Sequence, residues 1–250
     1  MEPLFDINGL MFWSQKEIAL RERFKAQIAE GVAEFLHGQN PMFLQNFLQV
    51  EAPLLTPRSA LNPNYTDEDI WAQETLEVSG SHDLALRPET TPGSYTYAAH
   101  LLNSHSPHKP PMVVWQAGKS FRRENEQPSK HMRLKEFYQQ EFQCVYAADT
   151  LNDYQEAVLE PMRKLLGDII GLPTRIVESD RLPSYSKRTM DVEVDNGDKW
   201  MEVCSISLRT DFPEKFKFTH KGVQKEKDLL VLEIAVGLDR VVYNYLQRTK

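Results

Sequence analysis

The stretch Phe121-Arg-Arg-Glu-Asn-Glu-Gln-Pro-Ser-Lys-His-Met-Arg-Leu-Lys-Glu-Phe-Tyr-Gln-Gln-Glu-Phe142 reads as a strand, a basic loop and a returning strand. Successive side chains of a strand point to opposite faces, so parity sorts them. Gln116, Gly118, Ser120, Arg122 and Glu124 share one face, opposed by Trp115, Ala117, Lys119 and Phe121. On the returning strand Phe137, Gln139, Glu141 and Gln143 share a face, opposed by Tyr138, Phe142 and Cys144. A face of Arg, Glu, Gln and Phe makes a poor core, because buried charges need partners. It makes a good floor for a charged, planar ligand. The loop between, with Lys130, His131 and Arg133, is placed to close over phosphates. Solvated salt bridges on a hairpin are the competing account, and they do not require the polar positions to share a face.

Working outward, residues 15 to 37 read as an amphipathic helix, with Leu20, Phe24, Ile28, Val32 and Phe35 at helical spacing. Phe47 to Glu51 reads as a strand stopped by Pro53. Residues 56 to 74 are polar and carry Pro57, Asn62, Pro63 and Asn64, which predicts a loop. Short strands are expected at 75 to 79 and 83 to 87, then a helix from after Pro92 to Leu102. A second long helix is expected over 150 to 170, with Leu151, Tyr154, Val158, Leu165 and Ile169 on its stripe. Strands follow near 174 to 178, 189 to 194, 200 to 206 and 229 to 236, and a helix from 238 to 248 closes the chain. Hairpin-rich strands with helices in separate blocks predict an α+β fold around a mostly antiparallel sheet.

With 41% hydrophobic and 26% charged residues over 250 positions, the chain can bury a core and suits one large domain or a domain with a small insertion. No apolar run approaches the about 20 residues of a membrane span. The start, Met1-Glu-Pro-Leu-Phe-Asp6, lacks the basic and apolar regions of a signal peptide. Cys144 and Cys204 are too few for a disulfide framework or a four-ligand zinc site, which suits a reducing, cytoplasmic setting. The net charge of −7 argues against broad adhesion to nucleic acid.

Phe121-Arg-x-Glu124, the loop, and Arg133-x-x-Glu136-Phe137 resemble motif 2 of the class II aminoacyl-tRNA synthetases. Val231-Leu-Glu-Ile-Ala-Val-Gly-Leu-Asp-Arg240 resembles motif 3, a strand entering a helix through Gly-x-x-Arg. Val50-Glu-Ala-Pro53, after a long helix, resembles motif 1. Leu86-Arg-Pro-Glu-Thr-Thr-Pro-Gly93 is similar to a segment of the glycyl-tRNA synthetases. Each motif alone is weak, and their order and spacing together carry the resemblance. It implies a class II catalytic core over 1–250, an antiparallel sheet flanked by helices. Motif 1 lies near 35–55, motif 2 near 118–143 and motif 3 near 229–245.

The resemblance implies ATP-dependent activation of a small amino acid to an aminoacyl-adenylate, with glycine the leading guess and alanine, serine or another small amino acid open. No glycine-rich phosphate loop is present, so side chains must hold ATP. Arg122 is the candidate for the α-phosphate, because a guanidinium matches phosphate oxygens bidentately and stays charged. By the resemblance, Glu124 meets the adenine end, Phe137 stacks on one adenine face and Arg240 packs on the other. Arg133, with His131 as a further candidate, meets the γ-phosphate. Glu202, in Trp200-Met-Glu-Val-Cys-Ser205, matches a magnesium-binding Glu of the class. Magnesium takes one or two carboxylates plus substrate phosphates. Glu89, Glu141 and Glu233 form the candidate amino-acid pocket, where an ammonium would relieve their repulsion. Ala235 stands where the glycyl pattern has a serine.

Other polar groups carry less. His82, His100, His105 and His108 make no metal spacing, Asp191 and Glu193 are read as facing solvent, and Lys215 to Lys227 as a basic loop. Only about ten residues follow Arg240 and nothing resembles an anticodon-binding domain, so a bare catalytic core is expected. The expected partners are a small amino acid and the acceptor arm of tRNA, or another acceptor, with a homodimer formed through motif 1. A ligase acting on a carrier protein, a protein lysine or a modified nucleobase is the alternative. A noncatalytic accessory subunit is a further one, opposed by the presence of Arg122, Glu124, Phe137, Glu202 and Arg240 together.

Overall fold

A computed structural model describes residues 5–61, 75–81, 83–104, 106–124, 132–148, 150, 152–180, 185–212, 219–220, 223–224 and 229–248. His82, His105, Lys130, His131, Leu151, residues 62 to 64 and the side chains of 215 to 227 lie outside them. The chain opens with the hairpin β1 (Phe5–Ile7) and β2 (Leu10–Phe12), then the long helix α1 (Gln15–Gln39) and the short α2 (Met42–Gln45). Next come β3 (Phe47–Gln49), β4 (Leu55–Pro57), β5 (Leu76–Glu77), β6 (Leu84–Leu86) and helix α3 (Thr91–Asn103). The central hairpin is β7 (Met112–Phe121) and β8 (Glu136–Ala147), followed by helix α4 (Tyr154–Ile170) and β9 (Thr174–Glu178). The rest is β10 (Ser186–Asp195), β11 (Trp200–Arg209), β12 (Thr219–His220), β13 (Val223–Gln224), β14 (Leu229–Val236) and helix α5 (Leu238–Gln247).

Among the described residues, seven strands form the main sheet in the order β3-β7-β8-β14-β11-β10-β9. Only β3 and β7 pair in parallel; the other neighbours are antiparallel. The expected α+β architecture, an antiparallel-dominated sheet flanked by helices, is the observed one. Parity then builds the two faces. Val113, Trp115, Phe142, Cys144, Ile206 and Ile234 point to one side and pack with α1, α4 and α5 into the larger core. Val114, Val145, Val231 and Leu229 point to the other side, where α3 covers them with Tyr95, Ala98, Leu101 and Leu102. That second core occupies one end of its face. The other end is the polar floor read from the hairpin.

The helix bounds move slightly from expectation. In α1 the buried stripe is Phe24, Ile28, Val32 and Leu36, with Phe35 only half-buried, because a 3.6-residue period carries the fourth turn past position 35. Helix α4 begins at 154 rather than 150, since Asp153 accepts a hydrogen bond from Glu156 N (2.9 Å) and so starts it. Its buried face is Tyr154, Val158, Met162, Leu166 and Ile169, with Leu165 half-buried against Gly31. Helix α3 starts at Thr91, with Pro92 inside its first turn, where a missing N–H costs nothing. Strand β11 extends to Arg209, three residues beyond the expected end.

Candidate active site

The register lines polar residues across the sheet. Gln116 faces Glu141, Glu141 faces Ala235, Ala235 faces Ser205, and Ser205 faces Asp191. The next row runs through Gln143, Glu233, Ser207 and Thr189. This floor lies in a cleft of about 280 Å³ whose walls include Glu89, Arg122, Glu124, Arg133, Phe137, Glu141, Glu202, Glu233 and Arg240. All nine candidates from the sequence therefore line one cavity.

Glu202 reaches the cleft through an irregularity. Strict alternation would put it on the core side with Cys204 and Ile206. Instead Val192 pairs with Cys204 while Glu193 pairs with Glu202, which leaves Val203 as an extra residue. Val203 and Cys204 are both buried as a result, and Glu202 joins Ser205 and Ser207 along the cleft. Such a bulge re-aims the side chains beyond it.

At the open end, Arg122 comes from the β7 side and Arg240 from the first turn of α5. The Arg122 guanidinium lies 5.4 Å from the Phe137 ring centroid, and its Nε donates to Pro88 O (3.0 Å). Arg240 Nη1 donates to Glu202 O (3.0 Å) and lies 3.5 Å from Glu202 Oε1. Phe137 sits between the two arginines in strand order. Beneath them Asp239 accepts from Tyr138 N (2.8 Å), and Arg21 stacks on the Tyr138 ring at 3.7 Å. Burial raises the Asp239 carboxyl to about 6, against the pull of the Tyr138 amide and Arg21.

Asp191 corrects the sequence reading. It is 8% exposed and lines the cleft rather than facing solvent. Burial, then the nearby Glu202, push it up to about 6, while hydrogen bonds with Ser179 and Ser205 oppose the rise. Glu193, its neighbour in parity, instead pairs with Arg175 at 2.7 Å.

The closed end holds charge. Glu89, Glu141 and Glu233 are all buried there. Thr90 Oγ1 and Thr91 Oγ1 donate to Glu141 Oε2 (2.6 and 2.9 Å), and Thr91 Oγ1 lies 2.8 Å from Glu233 Oε2. Gln143 Nε2 also donates to Glu233 (2.9 Å), and Gln139 Nε2 to Glu141 Oε1 (2.7 Å). Arg209, absent from the sequence reading, sits among them at 1% exposure. It donates to Glu233 (2.7 Å) and as a fork to both oxygens of Asp211 (3.1 and 2.8 Å), and it lies 4.0 Å from Glu89. Tyr185 stacks on its guanidinium at 3.9 Å. Burial disfavours the Arg209 charge, but Glu233, Tyr95, Asp211 and Glu89 outweigh it and hold its pKa well above the usual value. Burial drives Glu89 up to about 8, with Arg209 opposing and Glu141 and Glu233 adding. Burial and Glu233 raise Glu141 as well, against its threonine hydrogen bonds.

Among the described residues, four carboxylates (Glu89, Glu141, Glu233, Asp211) thus gather around the Arg209 guanidinium. The arrangement can accept one further small cation and present an adjoining carboxylate to a phosphate held by Arg122. The same residues form no cluster of three or more potential metal ligands. A magnesium ion would therefore rely on Glu202, with Asp191 and Ser205 beside it, and on the ligand's own phosphates.

Residues 75–249 match the tRNA synthetase class II core domain (G, H, P, S and T). Among curated relatives, a glycine–tRNA ligase of Cutibacterium acnes is 30% identical over 190 residues, covering 68% of this chain and 39% of its own. One of Mycoplasma capricolum is 33% identical over 153 residues, covering 59% and 32%. The chain thus spans about two fifths or less of these relatives' length. Among solved structures, a prolyl-tRNA synthetase of Cryptosporidium parvum, complexed with halofuginone and AMPPNP, superposes with a TM-score of 0.73 at 15% identity. That match covers 98% of this chain and 49% of the other, and it concerns the fold.

Proposed function

This chain belongs to the class II tRNA synthetase core family, and from that membership we propose ATP-dependent activation of a small amino acid, with glycine foremost, and its transfer to tRNA. The observation that carries this reading is the joining of two half-sites on one sheet face. An aromatic ring with Arg122 near its face, and Arg240 in the same cleft, adjoins a buried pocket rich in carboxylates. The amino-acid carboxylate attacks the α-phosphorus, forming a C(O)O–P bond and breaking the bond to the bridging oxygen, so pyrophosphate leaves. Arg122 is aimed at the charge that grows on the α-phosphate oxygens. Arg240, Phe137 and Glu124 hold the base and outer phosphates, with Arg133 at the loop's edge. Magnesium, on Glu202, would neutralise phosphate charge. Glu89, Glu141 and Glu233 receive the ammonium, with Arg209 and Tyr185 packed beside them. The ligase relatives of about 30% identity, named for glycine, favour glycine, while Ala235 in place of serine keeps alanine and serine as comparison arms.

Amino-acid-dependent exchange of labelled pyrophosphate into ATP is expected with magnesium, strongest with glycine. Absence of exchange with every one of glycine, alanine, serine and the other standard amino acids, in folded protein, would refute activation. Charging of total tRNA from the same source tests the transfer step.

Binding of the ammonium is also expected to release a proton. Between about 4.5, its ordinary value, and 8, Glu89 is protonated in the folded protein but ionised in the unfolded chain. The folded state binds the extra proton there, so stability falls as pH rises through that window. An ammonium beside Glu89 favours the carboxylate, expels the proton and recovers stability. Calorimetric titration of glycine at pH 7, in buffers of different ionisation enthalpy, reads this directly. Binding with no proton released would remove Glu89 from the ammonium site.

A closed two-fold homodimer is part of the proposal. Phe5, Ile7, Leu10 and Phe12 present one exposed apolar face of the β1–β2 hairpin. Sedimentation at micromolar concentration is expected to give a dimer, and a monomer alone would contradict it.

A further inference from the structure

We propose that Arg87 is a positioning residue whose buried guanidinium sets the aim of Arg122. The inference rests on the activation reading above and names a group outside the cleft that the reading does not use. Arg87 is 3% exposed. Its Nε donates to Lys119 O (2.8 Å), and its Nη1 to Ala52 O (2.8 Å) and Gln116 Oε1 (3.1 Å). Its main-chain N donates to Leu54 O (3.0 Å), and its main-chain O accepts from Phe121 N (2.9 Å). One residue therefore fastens segment 52–54, strand β7 and the loop that carries Glu89.

Arg122 depends on that junction at both ends. Its Nε donates to the carbonyl of Pro88, the residue next to Arg87. Its main chain follows Phe121, which is bonded to Arg87 O, and its N donates to Lys135 O (3.0 Å). Gly118 makes the approach feasible, because a Cβ there would overlap Arg87 Nη2. Gln116 completes the brace, since its amide donates to Thr90 O (2.8 Å) and Ser94 Oγ (2.9 Å) while its oxygen accepts from Ala52 N (3.2 Å).

Among the described residues, the acceptors of this guanidinium are carbonyl and amide oxygens, not carboxylates. Burial lowers its pKa, with Glu141 and Glu51 opposing at a distance. A neutral side chain would cost less to bury here. It could not bridge β7 to segment 52–54 with a rigid planar fork. Geometry, rather than stability, is what the arginine supplies.

The test is a double-variant cycle of Arg87→Lys with Arg122→Ala, read by pyrophosphate exchange and by equilibrium binding of ATP. Lysine keeps the charge and loses the fork. Arg87→Lys alone is expected to lower exchange turnover roughly 30-fold, as for a catalytic group displaced by a fraction of an ångström, with the KM for amino acid nearly unchanged. On the Arg122→Ala background it is expected to cost nothing further. Gly118→Ala, which pushes the guanidinium aside with its charge intact, is expected to behave the same way and serves if Arg87→Lys does not fold. Losses that multiply with Arg122→Ala, or wild-type turnover in both Arg87→Lys and Gly118→Ala, would overturn the proposal. If the unsubstituted protein binds ATP without exchange, the activation reading fails, and the same cycle in ATP affinity still decides the role of Arg87.

Discussion

Replacing Arg122 by alanine is expected to lower the turnover of pyrophosphate exchange by roughly 100-fold or more, the cost of one transition-state charge donor. The pentavalent α-phosphorus carries more negative charge on its equatorial oxygens than the ground state does. A fixed guanidinium beside Phe137 therefore binds the transition state better than ATP itself. The expected pattern is a fall in kcat larger than any rise in the KM for ATP. Stability should change little, because Arg122 lies at the cleft and its Nε bond to Pro88 O is half-exposed. Lysine is expected to recover only part of the rate, since a point charge does not reproduce the bidentate fork. Stopped-flow or steady-state exchange at saturating ATP measures this. A variant with wild-type kcat would remove Arg122 from the chemistry.

Replacing Arg209 by methionine is expected to unfold the closed end of the cleft rather than merely slow it. The guanidinium is 1% exposed and joins Glu233, Asp211 and Thr91, with Tyr185 stacked above. Methionine fills much of the volume but leaves buried carboxylates without their cation. Breaking one partner of such a group costs about 3–5 kcal/mol. For a chain of this length that lowers the melting midpoint by about 10 °C. The loss should be larger at pH 8 than at pH 5, because protonation at low pH relieves the stranded carboxylates. Urea denaturation at the two pH values reads both effects. A loss under 1 kcal/mol at pH 8 would mean that the carboxylates are compensated elsewhere.

Parity along β7 and β8 was readable residue by residue, because a strand's period is 2 and one face of this hairpin contains nothing that could pack a core. Hence the α+β class and the polar floor followed from local period, while the nine cleft residues were picked out by the motif resemblance. Glu202 was found through its surrounding residues, while alternation by itself would have put it in the core; the bulge at Val203 corrected its direction. Arg209 was missed because the strand was ended at 206, although Ser205, Ser207 and Arg209 alternate on the same face. Asp191 had the right face and the wrong surroundings. Alternation tells which residues share a side, but not whether water or protein covers it.

Local period and spacing were thus enough to read the strands, the helices and the two faces of the central hairpin from the chain alone. Which charges share a partner was set by the folded arrangement. Arg209 reaches Glu89, Glu233 and Asp211 from positions 120, 24 and 2 residues apart in the chain. Arg87 reaches Ala52 and Lys119 in the same way. Electrostatic energy depends on distance and burial, and neither is a function of separation along the chain.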